Sequence, residues 1–508
     1  MRHILMLCLA AMTSAYASAN FQVSTQAMND SLTSKARFAL NVAVPQFKDK
    51  TYSVLDYGAD PSGRTMSTTA IQKAIDTANK KGGGTVLIPG GVYLTGPIVL
   101  KSNIRLLTEK NTLVLFSADY TLYPIQDRSF EGVDTKRCQS PLMAVDAENI
   151  AICGEGTFNG NGDQWRPVKK SKMTGAQWKA KLKTGGVVVD DVWYRDSACV
   201  YAASLCKDQN VPEPTDEKDW EKIHSFLRPV MLSFINCRNV LLEGVNFENS
   251  PAWNLHPFCC TNLTLRNLTV RNPWYSQNGD GVDVESCKNV LIDHCSFDVG
   301  DDAICMKSGK NEDGRRRGIP CENVLVDDCV VYHGHGGFVV GSEMSGGVNN
   351  IEVNNCLFLG TDVGLRFKST RGRGGVVSNI YINGVNMWGI PHEALLFDLF
   401  YGGKGAGEET EEEIAKRMNA TAPAVDETTP AFRDIYITNV VGNDVDVALY
   451  FNGLPEMKIQ NVNLKDITMN AHHAGTIRQT KGLVMEDLRI LSPDELVIAP
   501  TVEGIVRK

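Results

Sequence analysis

A short phrase centred on asparagine recurs along the chain and constrains the fold more than any other feature. Each copy has an Asn, then a β-branched residue or Leu, any residue and an apolar residue, followed by alternation of the kind found in half-buried strands. The intervals between the clear copies are 23, 27, 34, 27 and 29 residues. These copies begin at Asn239, Asn262, Asn289, Asn323, Asn350 and Asn379, and looser ones at Asn149, Asp434 and Lys458.

One group of strands every 20 to 30 residues or so, with few helical segments between, is typical of a solenoid built from short parallel strands. Leucine-rich repeats have a comparable period, but their Leu-x-x-Leu-x-Leu frame and helical return are missing. We therefore expect an all-β fold, a right-handed parallel β-helix. The repeated asparagines are predicted to form a structural hydrogen-bonded ladder at the turns.

The ends of such a solenoid expose strand edges and apolar core, which must be covered. Residues 68–81 are predicted to form an N-terminal capping helix that ends at Gly82-Gly83-Gly84. The apolar residues that recur there at helical spacing are Ala70, Ile71, Ala74, Ile75 and Ala78.

The rest of the chain divides into an N-terminal extension at 20–50 and one β-helix domain at 51–508. Loop insertions are expected near 164–226 and 402–430, and such insertions often form the binding face of a solenoid. The acidic run at 408–413 is predicted to be the solvated start of a helix.

The first nineteen residues have the layout of a secretory signal peptide. An apolar run from Ile4 to Met12 is followed by Ala17-Ser18-Ala19, an Ala-x-Ala cleavage site. We expect a secreted or periplasmic protein without a membrane anchor. The net charge of −8 argues against a nucleic-acid partner, although it does not exclude an anionic substrate.

Fourteen cysteines include no Cys-x-x-Cys pair, so neither a zinc site nor a full disulfide framework is indicated. Their spacing relative to the repeat predicts two stacked columns of mainly buried free thiols. One column holds Cys237, Cys260, Cys287 and Cys321, and the other Cys295, Cys329 and Cys356. If any pair is bonded, Cys199 and Cys206 in the first insertion are the best candidates.

Polar residues cluster on successive predicted coils between 278 and 368. The offsets are 21 residues from Asp280 to Asp301, 33 from Asp302 to His335 and 31 from His335 to Arg366, each close to one coil. All four groups should therefore share one lateral face. Because Asp301 and Asp302 would point to opposite faces of an ideal strand, we expect a bulge or a strand exit there.

Paired carboxylates on one face suit the cleavage of a glycosidic bond. This reaction needs a carboxylic acid that protonates the leaving oxygen and a second carboxylate that activates water or attacks the sugar. Stacking of coils at about 4.8 Å, with sideways offset, admits the roughly 6.5 to 9.5 Å gap of an inverting enzyme. Three adjacent carboxylates cannot all ionise freely, so one pKa should be raised, as a general acid requires. An Asp-Asp pair beside Gly is also compatible with calcium ligands.

Cations next to these acids point to an acidic sugar, although they could also hold the aspartates in salt bridges. Arg366 and Lys368 are two apart and should project to the same side. Three further cations are expected in this basic patch: Lys307, Arg371 and Arg373. Flat surfaces for sugar stacking are offered by Trp253, His256, Trp274 and Tyr275, with core packing as the alternative.

Four ordered motifs, Asn278-Gly279-Asp280, Gly300-Asp301-Asp302, Gly334-His335-Gly336 and Arg366-Phe367-Lys368, resemble those of the polygalacturonases of glycoside hydrolase family 28. Bacterial members have phrases similar to that at 341–347. The chain departs from the common pattern in Gly279, where many members have Thr, and in Phe367, where many have Ile. Gly337 adds a residue after the third motif, which leaves His333 as an alternative to His335.

The resemblance implies metal-independent, cofactor-free hydrolysis of α-1,4-linked galacturonate with inversion, by a monomer acting on an acidic plant cell-wall polysaccharide. Asp301 would be the general acid, Asp280 and Asp302 would hold the water, and His335 would tune the acid. The expected substrate-binding residues are Arg366, Lys368, Asn278, Lys307 and His256, with Tyr401 as the tyrosine that members have beyond the fourth motif.

Other functions remain open. A rhamnogalacturonan or substituted-galacturonan hydrolase would belong to the same family, and a calcium-dependent pectate lyase would share the fold and the polymer. A non-catalytic carbohydrate-binding β-helix would keep the aromatic residues and the cations but would not need the aspartate trio. The first insertion could wall off one end of the groove, which favours cleavage from chain ends.

Overall fold

The structure, a computed structural model, describes residues 25–208, 210–402 and 421–508, with 410, 412, 415, 416 and 419 between the last two ranges. The expected signal peptide lies outside the described residues, as does most of the acidic run at 408–413. None of the described helices is long and apolar enough to cross a membrane.

The chain winds through three faces of parallel strands, so the parallel β-helix predicted from the repeat is confirmed. Equivalent residues of successive coils pair directly: Leu263 with Val290, and Val290 with Val324. We call the faces sheets I, II and III, in the order in which each coil passes through them. The repeat phrases form sheet I.

Sheet I contains Thr51–Ser53, Gly84–Ile88, Ile104–Thr108, Glu148–Gly154, Arg238–Glu243, Thr261–Arg266, Lys288–Asp293, Cys321–Asp327, Val348–Asn354 and Val506–Arg507. Sheet II contains Ser62–Met66, Gly91–Thr95, Thr112–Phe116, Thr157–Asn159, Asn246–Glu248, Thr269–Arg271, Ser296–Asp298, Val330–His333 and Leu357–Leu359. Sheet III contains Ile98–Val99, Leu142–Val145, Leu232–Ile235, Leu255–Phe258, Val282–Glu285, Ile304–Lys307, Gly336–Gly341, Val363–Lys368 and Val497–Ile498. Longer strands turn the corners of the last coils: Val376–Asp398, Ala431–Asn452, Ile459–Arg478 and Thr480–Leu491.

The repeated asparagines form the predicted ladder. Each donates its side-chain amide to the side-chain oxygen of the asparagine one coil earlier, over 2.9 to 3.3 Å from Asn103 to Asn350. These residues have φ between +54° and +64°, the left-handed conformation that Asn tolerates better than most residues. Asn379 instead donates to Asn349. Asn is thus selected both for the turn and for the stack.

The interior of the coils is apolar, and Phe367 and Phe397 stack there with ring centroids 4.4 Å apart. The thirteen cysteines of the described residues are unbonded, so Cys199 and Cys206 form no disulfide. Eleven of the thirteen are buried, in agreement with the prediction of packed thiols.

The predicted capping helix spans Thr68–Lys80, and all five of its predicted apolar residues are buried against the first coils. The N-terminal extension has a role that sequence reasoning did not assign. A helix at 25–33 and the segment after it lie on the outer face of sheet I, where Val42 contacts Leu291 and Leu325. Asn29 also accepts a hydrogen bond from Arg266 at 2.8 Å. This cover explains why sheet I has apolar residues on its outer side.

Among the described residues, two long excursions from the coils pack near sheet III. The first is an antiparallel hairpin of Ile125–Phe130 and Val133–Cys138, which the sequence analysis did not predict. The second is the predicted insertion at 164–226. Its helices are Gly175–Leu182, Ser197–Ser204 and Asp219–Lys222, and its short strands are Val168–Lys169, Val187–Val189, Val192–Tyr194, Cys206–Asp208 and Val211–Pro212. A further helix, Asn311–Arg317, follows the sheet III strand Ile304–Lys307.

Candidate active site

The polar motifs converge at the beginning of the sheet III strands. Asp280 precedes Val282–Glu285, Asp301 and Asp302 precede Ile304–Lys307, and His335 precedes Gly336–Gly341. Asp301 and Asp302 lie in the turn before their strand, which is the strand exit expected for two adjacent residues facing one side. A cavity of about 690 Å³ is lined by all four residues.

The three aspartates form a tight cluster. One carboxylate oxygen of each lies within 4.8 Å of one oxygen of each of the others. This is shorter than the roughly 6.5 to 9.5 Å carboxyl separation typical of inverting glycosidases, so the spacing does not by itself indicate inversion. Gly279 fits tightly beneath the cluster, because a Cβ atom there would lie 1.8 Å from Ser276 Oγ.

Asp302 is held in its ionised form by two cations. Arg366 donates to its Oδ1 at 3.1 Å and Lys368 to its Oδ2 at 2.7 Å. Burial opposes ionisation, but these two cations outweigh it and lower the pKa of Asp302. Both cations line the cavity and lie near Tyr401, whose ring centroid is 5.0 Å from Lys368 Nζ. Arg366 and Lys368 therefore form salt bridges with Asp302, as the sequence left open, and they also line the cavity.

Asp301 forms a pair with His335, whose Nδ1 lies 3.2 Å from Asp301 Oδ1. Burial raises the pKa of Asp301, but His335 and then Lys368 outweigh it, so the net pKa is lowered. For His335 burial lowers the pKa, and Asp301 more than compensates, so the pKa is raised. The pair thus retains a proton above the ordinary titration range of histidine. His333 instead contacts the carbonyl of Val299 at 2.7 Å, and it is His335 that lines the cavity.

Asp280 is the carboxyl whose pKa is raised, and this differs from the expectation for Asp301. It is 3% exposed, and burial followed by the charges of Asp283 and Asp301 raises its pKa well above the ordinary value. Its Oδ1 has no hydrogen-bond partner among the described residues. Burial and the neighbouring charges thus favour the protonated form of Asp280, while the contact with Asp301 favours the protonated form of His335.

Two predicted substrate-binding residues line the cavity but are already held by protein groups. Asn278 accepts hydrogen bonds from Asn210 at 2.9 Å and Arg228 at 3.1 Å. Lys307 lies 2.8 Å from Glu343 and packs over the ring of Trp253. Their side chains thus shape the wall of the cavity.

Two predictions about the periphery are wrong. His256 does not line the cavity: it is 2% exposed and lies 2.7 Å from Glu285, because other chain segments cover this part of sheet III. Arg371 does not join the basic patch, because its guanidinium forms a two-point contact with Glu456 at 2.5 and 2.9 Å. Of the predicted aromatic residues, Trp253 and Tyr275 line the cavity.

Several cavity residues were missed because they belong to no repeat. The hairpin contributes Glu131, and the insertion contributes Lys169, Lys172 and Asn210. Glu343 also lines the cavity. Burial raises its pKa, but the charges of Lys307 and other nearby cations outweigh burial, so the net pKa is lowered. Only Glu343 had a signal in the sequence, since it lies in the phrase at 341–347 that resembles bacterial polygalacturonases.

A parallel β-helix with clustered aspartates, a histidine and paired cations on one face is an architecture suited to an acidic polysaccharide. The model of glycosyl hydrolases family 28 matches residues 218–438, and a model of rhamnogalacturonase A/epimerase, pectate lyase-like, matches residues 51–161. An exopolygalacturonase structure from Thermotoga maritima is 31% identical with a TM-score of 0.72, covering 88% of this chain and 93% of that one. The chain belongs to family 28 of the glycosyl hydrolases.

Curated relatives agree with this assignment. An exo-poly-alpha-D-galacturonosidase of Dickeya chrysanthemi is 28% identical over 356 residues, covering 69% of this chain and 57% of the relative. A probable polygalacturonase of Vitis vinifera is 25% identical over 349 residues, covering 66% of this chain and 60% of the relative. The chain thus spans less than two thirds of the length of these relatives.

Proposed function

We propose that the protein hydrolyses α-1,4-linked galacturonate in an acidic plant cell-wall polysaccharide, releasing sugars from chain ends with inversion. The observation that carries the proposal is the aspartate trio, with His335, Arg366 and Lys368 beside it, in one cavity of a family 28 chain. From the expected signal peptide at 1–19 we also infer a secreted or periplasmic enzyme, which acts as a monomer.

In the proposed mechanism the glycosidic C1–O bond breaks while water forms a new bond to C1. Asp301 delivers to the leaving oxygen the proton that it shares with His335. Because the pKa of His335 is raised, this proton is retained at pH values above those at which a carboxyl alone would lose it. The ionised Asp302 accepts the proton of the water, and the protonated Asp280 orients that water.

Inversion requires the water to attack from the face opposite the leaving group. Because the trio is tight, a water bound between Asp280 and Asp302 would lie near the acid, and the sugar must bind with its C1 over that water. Proton NMR of the first product provides the test: the β-anomer must form first from an α-linked substrate.

The hairpin supports cleavage from chain ends. Its tip crosses the outer face of sheet III, where the carbonyl of Gly132 accepts a hydrogen bond from Lys310 N at 2.8 Å. Asp134 then forms salt bridges with Arg316 and Arg317 at 2.8 and 2.9 Å. Beneath this cover the outward-facing Asp283 and Glu285 are fully buried. The groove is therefore closed next to the aspartate trio, over the strand Val282–Glu285 that follows Asp280.

Glu131 and Asn210 complete this closed end. Asn210 donates to Glu131 Oε1 at 2.9 Å, which joins the hairpin to the insertion across the cavity. From the sequence this wall was expected in the insertion alone, whereas the hairpin supplies the part that crosses sheet III. A polymer passing through would have to displace both elements, so a chain end is the expected occupant.

Timed sizing of the products from polygalacturonate tests substrate and mode together. We expect short products of constant size from the first minutes and a slow fall in viscosity. A ladder of intermediate sizes with a rapid fall in viscosity would refute cleavage from chain ends. Products that absorb in the ultraviolet, formed only without chelator, would instead indicate a calcium-dependent lyase.

A further inference from the structure

The cations of the cavity differ in what they already bind. Arg366 and Lys368 both hold Asp302. Lys307 is paired with Glu343, and Arg373 donates to Asn311 Oδ1 at 2.6 Å. An incoming sugar carboxylate must share these four cations with groups of the protein.

Lys172 is different. It ends a short 3-10 turn, Lys170–Lys172, in the insertion, and its Nζ lies 3.4 Å from His335 Nε2. Among the described residues no carboxylate lies within 4.0 Å of the Lys172 ammonium. Asp362 is nearby, but its carboxylate lies 3.8 Å from His335 Nε2. Lys172 is partly exposed and lines the cavity. An ammonium in this position is free to receive an anionic ligand.

The location of Lys172 indicates which sugar it would meet. His335 faces Asp301 through Nδ1 and Lys172 through Nε2, so the imidazole ring lies between the lysine and the proposed proton donor. Under the proposed function the terminal sugar occupies the closed end, next to Asp280. The sugar that leaves with the protonated oxygen must therefore extend toward His335 and Lys172.

We propose that Lys172 is a specificity-determining residue that binds the carboxylate of the leaving-group sugar. This inference rests on the proposed function. Lys172 donates to the carboxylate, with His335 beside it, and so favours a galacturonate over a neutral or methyl-esterified sugar at this position. The insertion then supplies part of substrate selection as well as part of the wall.

The test compares two digalacturonates, one with a free leaving-group carboxylate and one with that carboxylate methyl-esterified. Both are measured with wild type, Lys172→Met and Lys172→Arg. The matched control is Lys170→Met, since Lys170 is two residues away, half exposed and paired with Asp191 at 3.0 Å. We expect Lys172→Met to lower kcat/KM about 10- to 100-fold on the free acid, mainly through KM, and less than about 3-fold on the ester.

Lys172→Arg should retain most of the activity, because it keeps the charge. Equal losses on the two substrates, or a loss no greater than that of Lys170→Met, would overturn the assignment of Lys172. A folded wild-type enzyme that cleaves neither digalacturonate nor polygalacturonate would instead overturn the proposed function. Titration of trigalacturonate into Asp301→Asn, with and without Lys172→Met, measures the same contact without turnover, and equal affinities there would also overturn the assignment.

Discussion

Single residues in the site are distinguished by where their protons reside. The three aspartates have similar sequence contexts, yet the pKa is raised for Asp280, lowered by two cations for Asp302, and lowered for Asp301 by His335, whose own pKa is raised. Burial acts on all three, so the neighbours set the difference. Each carboxyl is thereby suited to a different step of one reaction.

Replacing the proposed acid tests this division. Asp301→Asn should lower kcat on polygalacturonate at least about 1,000-fold, because the amide cannot donate a proton of comparable acidity to the leaving oxygen. The melting temperature should stay within a few degrees of the wild-type value, since the side chain is partly exposed. Near-normal release of reducing sugar by a folded variant would contradict the role of Asp301.

The pair of Asp301 and His335 also predicts a pH dependence. Because the pKa of His335 is raised above 6.5, the shared proton is present below that raised value and is lost as the pH rises through it. The alkaline limit of kcat should therefore lie above pH 6.5. In His335→Gln the limit should move to lower pH, since a carboxyl alone then holds the proton. An unchanged pH profile of kcat in this variant would show that His335 does not set the limit.

At the scale of elements, two segments outside the repeat decide what the coils present to solvent. The hairpin closes the groove over sheet III, and the N-terminal extension covers sheet I. Neither has the alternating phrase of the coils, and both are attached by contacts between residues far apart in the chain. Their effects on function and on stability can be separated by mutation.

Shortening the hairpin should change the mode of cleavage. Replacing residues 129–134 with a tight turn removes Glu131 and the bridge from Asp134 to Arg316 and Arg317, so the groove would open at its closed end. Chromatography of early digests should then show intermediate oligomers that wild type does not form. Asp127→Asn, an exposed change on the same hairpin, serves as the control. An unchanged product pattern would mean that the hairpin does not enforce the mode.

The extension should matter for stability and not for chemistry. Val42 is fully buried, so Val42→Asp places a charge against Leu291 and Leu325 without solvent and should cost about 3 kcal/mol or more of unfolding free energy. Lys35→Asp, at an exposed position of the same segment, should change it by less than about 0.5 kcal/mol. Denaturant unfolding measures both, and kcat at a permissive temperature should be unaffected in both. Equal stabilities would show that the extension is only loosely attached.

For the molecule as a whole, the stacked interior links stability to the site. Phe367 lies between the cations Arg366 and Lys368 in sequence, and its ring packs inward on Phe397 while the two cations point outward. Aligned stacks of this kind extend through the later coils, where Phe397 also contacts Phe451. The register of the core thus fixes the register of the groove.

Truncation in this stack should reduce stability and activity together. Phe397→Ala should cost about 3 to 5 kcal/mol of unfolding free energy and lower kcat, because the cavity beneath Phe367 loosens the strand that holds Arg366 and Lys368. Tyr381→Ala removes one ring of a stack with Tyr436 on the outer face of sheet I and should cost far less, with no loss of kcat. Calorimetry and initial rates on both variants provide the comparison. A normal kcat in Phe397→Ala would show that packing of the core does not control the positions of Arg366 and Lys368 in the groove.

The sequence by itself determined that the chain folds as a solenoid and which residues of the coils come together in its site. In a parallel β-helix, residues one period apart in the chain become neighbours in space, so the spacing of Asp280, Asp301, His335 and Arg366 could be interpreted directly as a shared face. The asparagine ladder was predictable for the same reason. Local periodicity is sufficient wherever the fold converts sequence distance into a fixed spatial step.

Tertiary structure alone decided how that face is closed, charged and covered. Lys172 reaches His335 across 163 residues of sequence, and Trp253, which contacts His256, packs against Phe130 of the distant hairpin. The pKa is raised for Asp280 and lowered for Asp301 because different charged groups lie beside the two buried carboxyls. Such contacts come from aperiodic loops, whose paths depend on long-range packing and on the mutual electrostatics of buried groups, and no spacing along the chain encodes them.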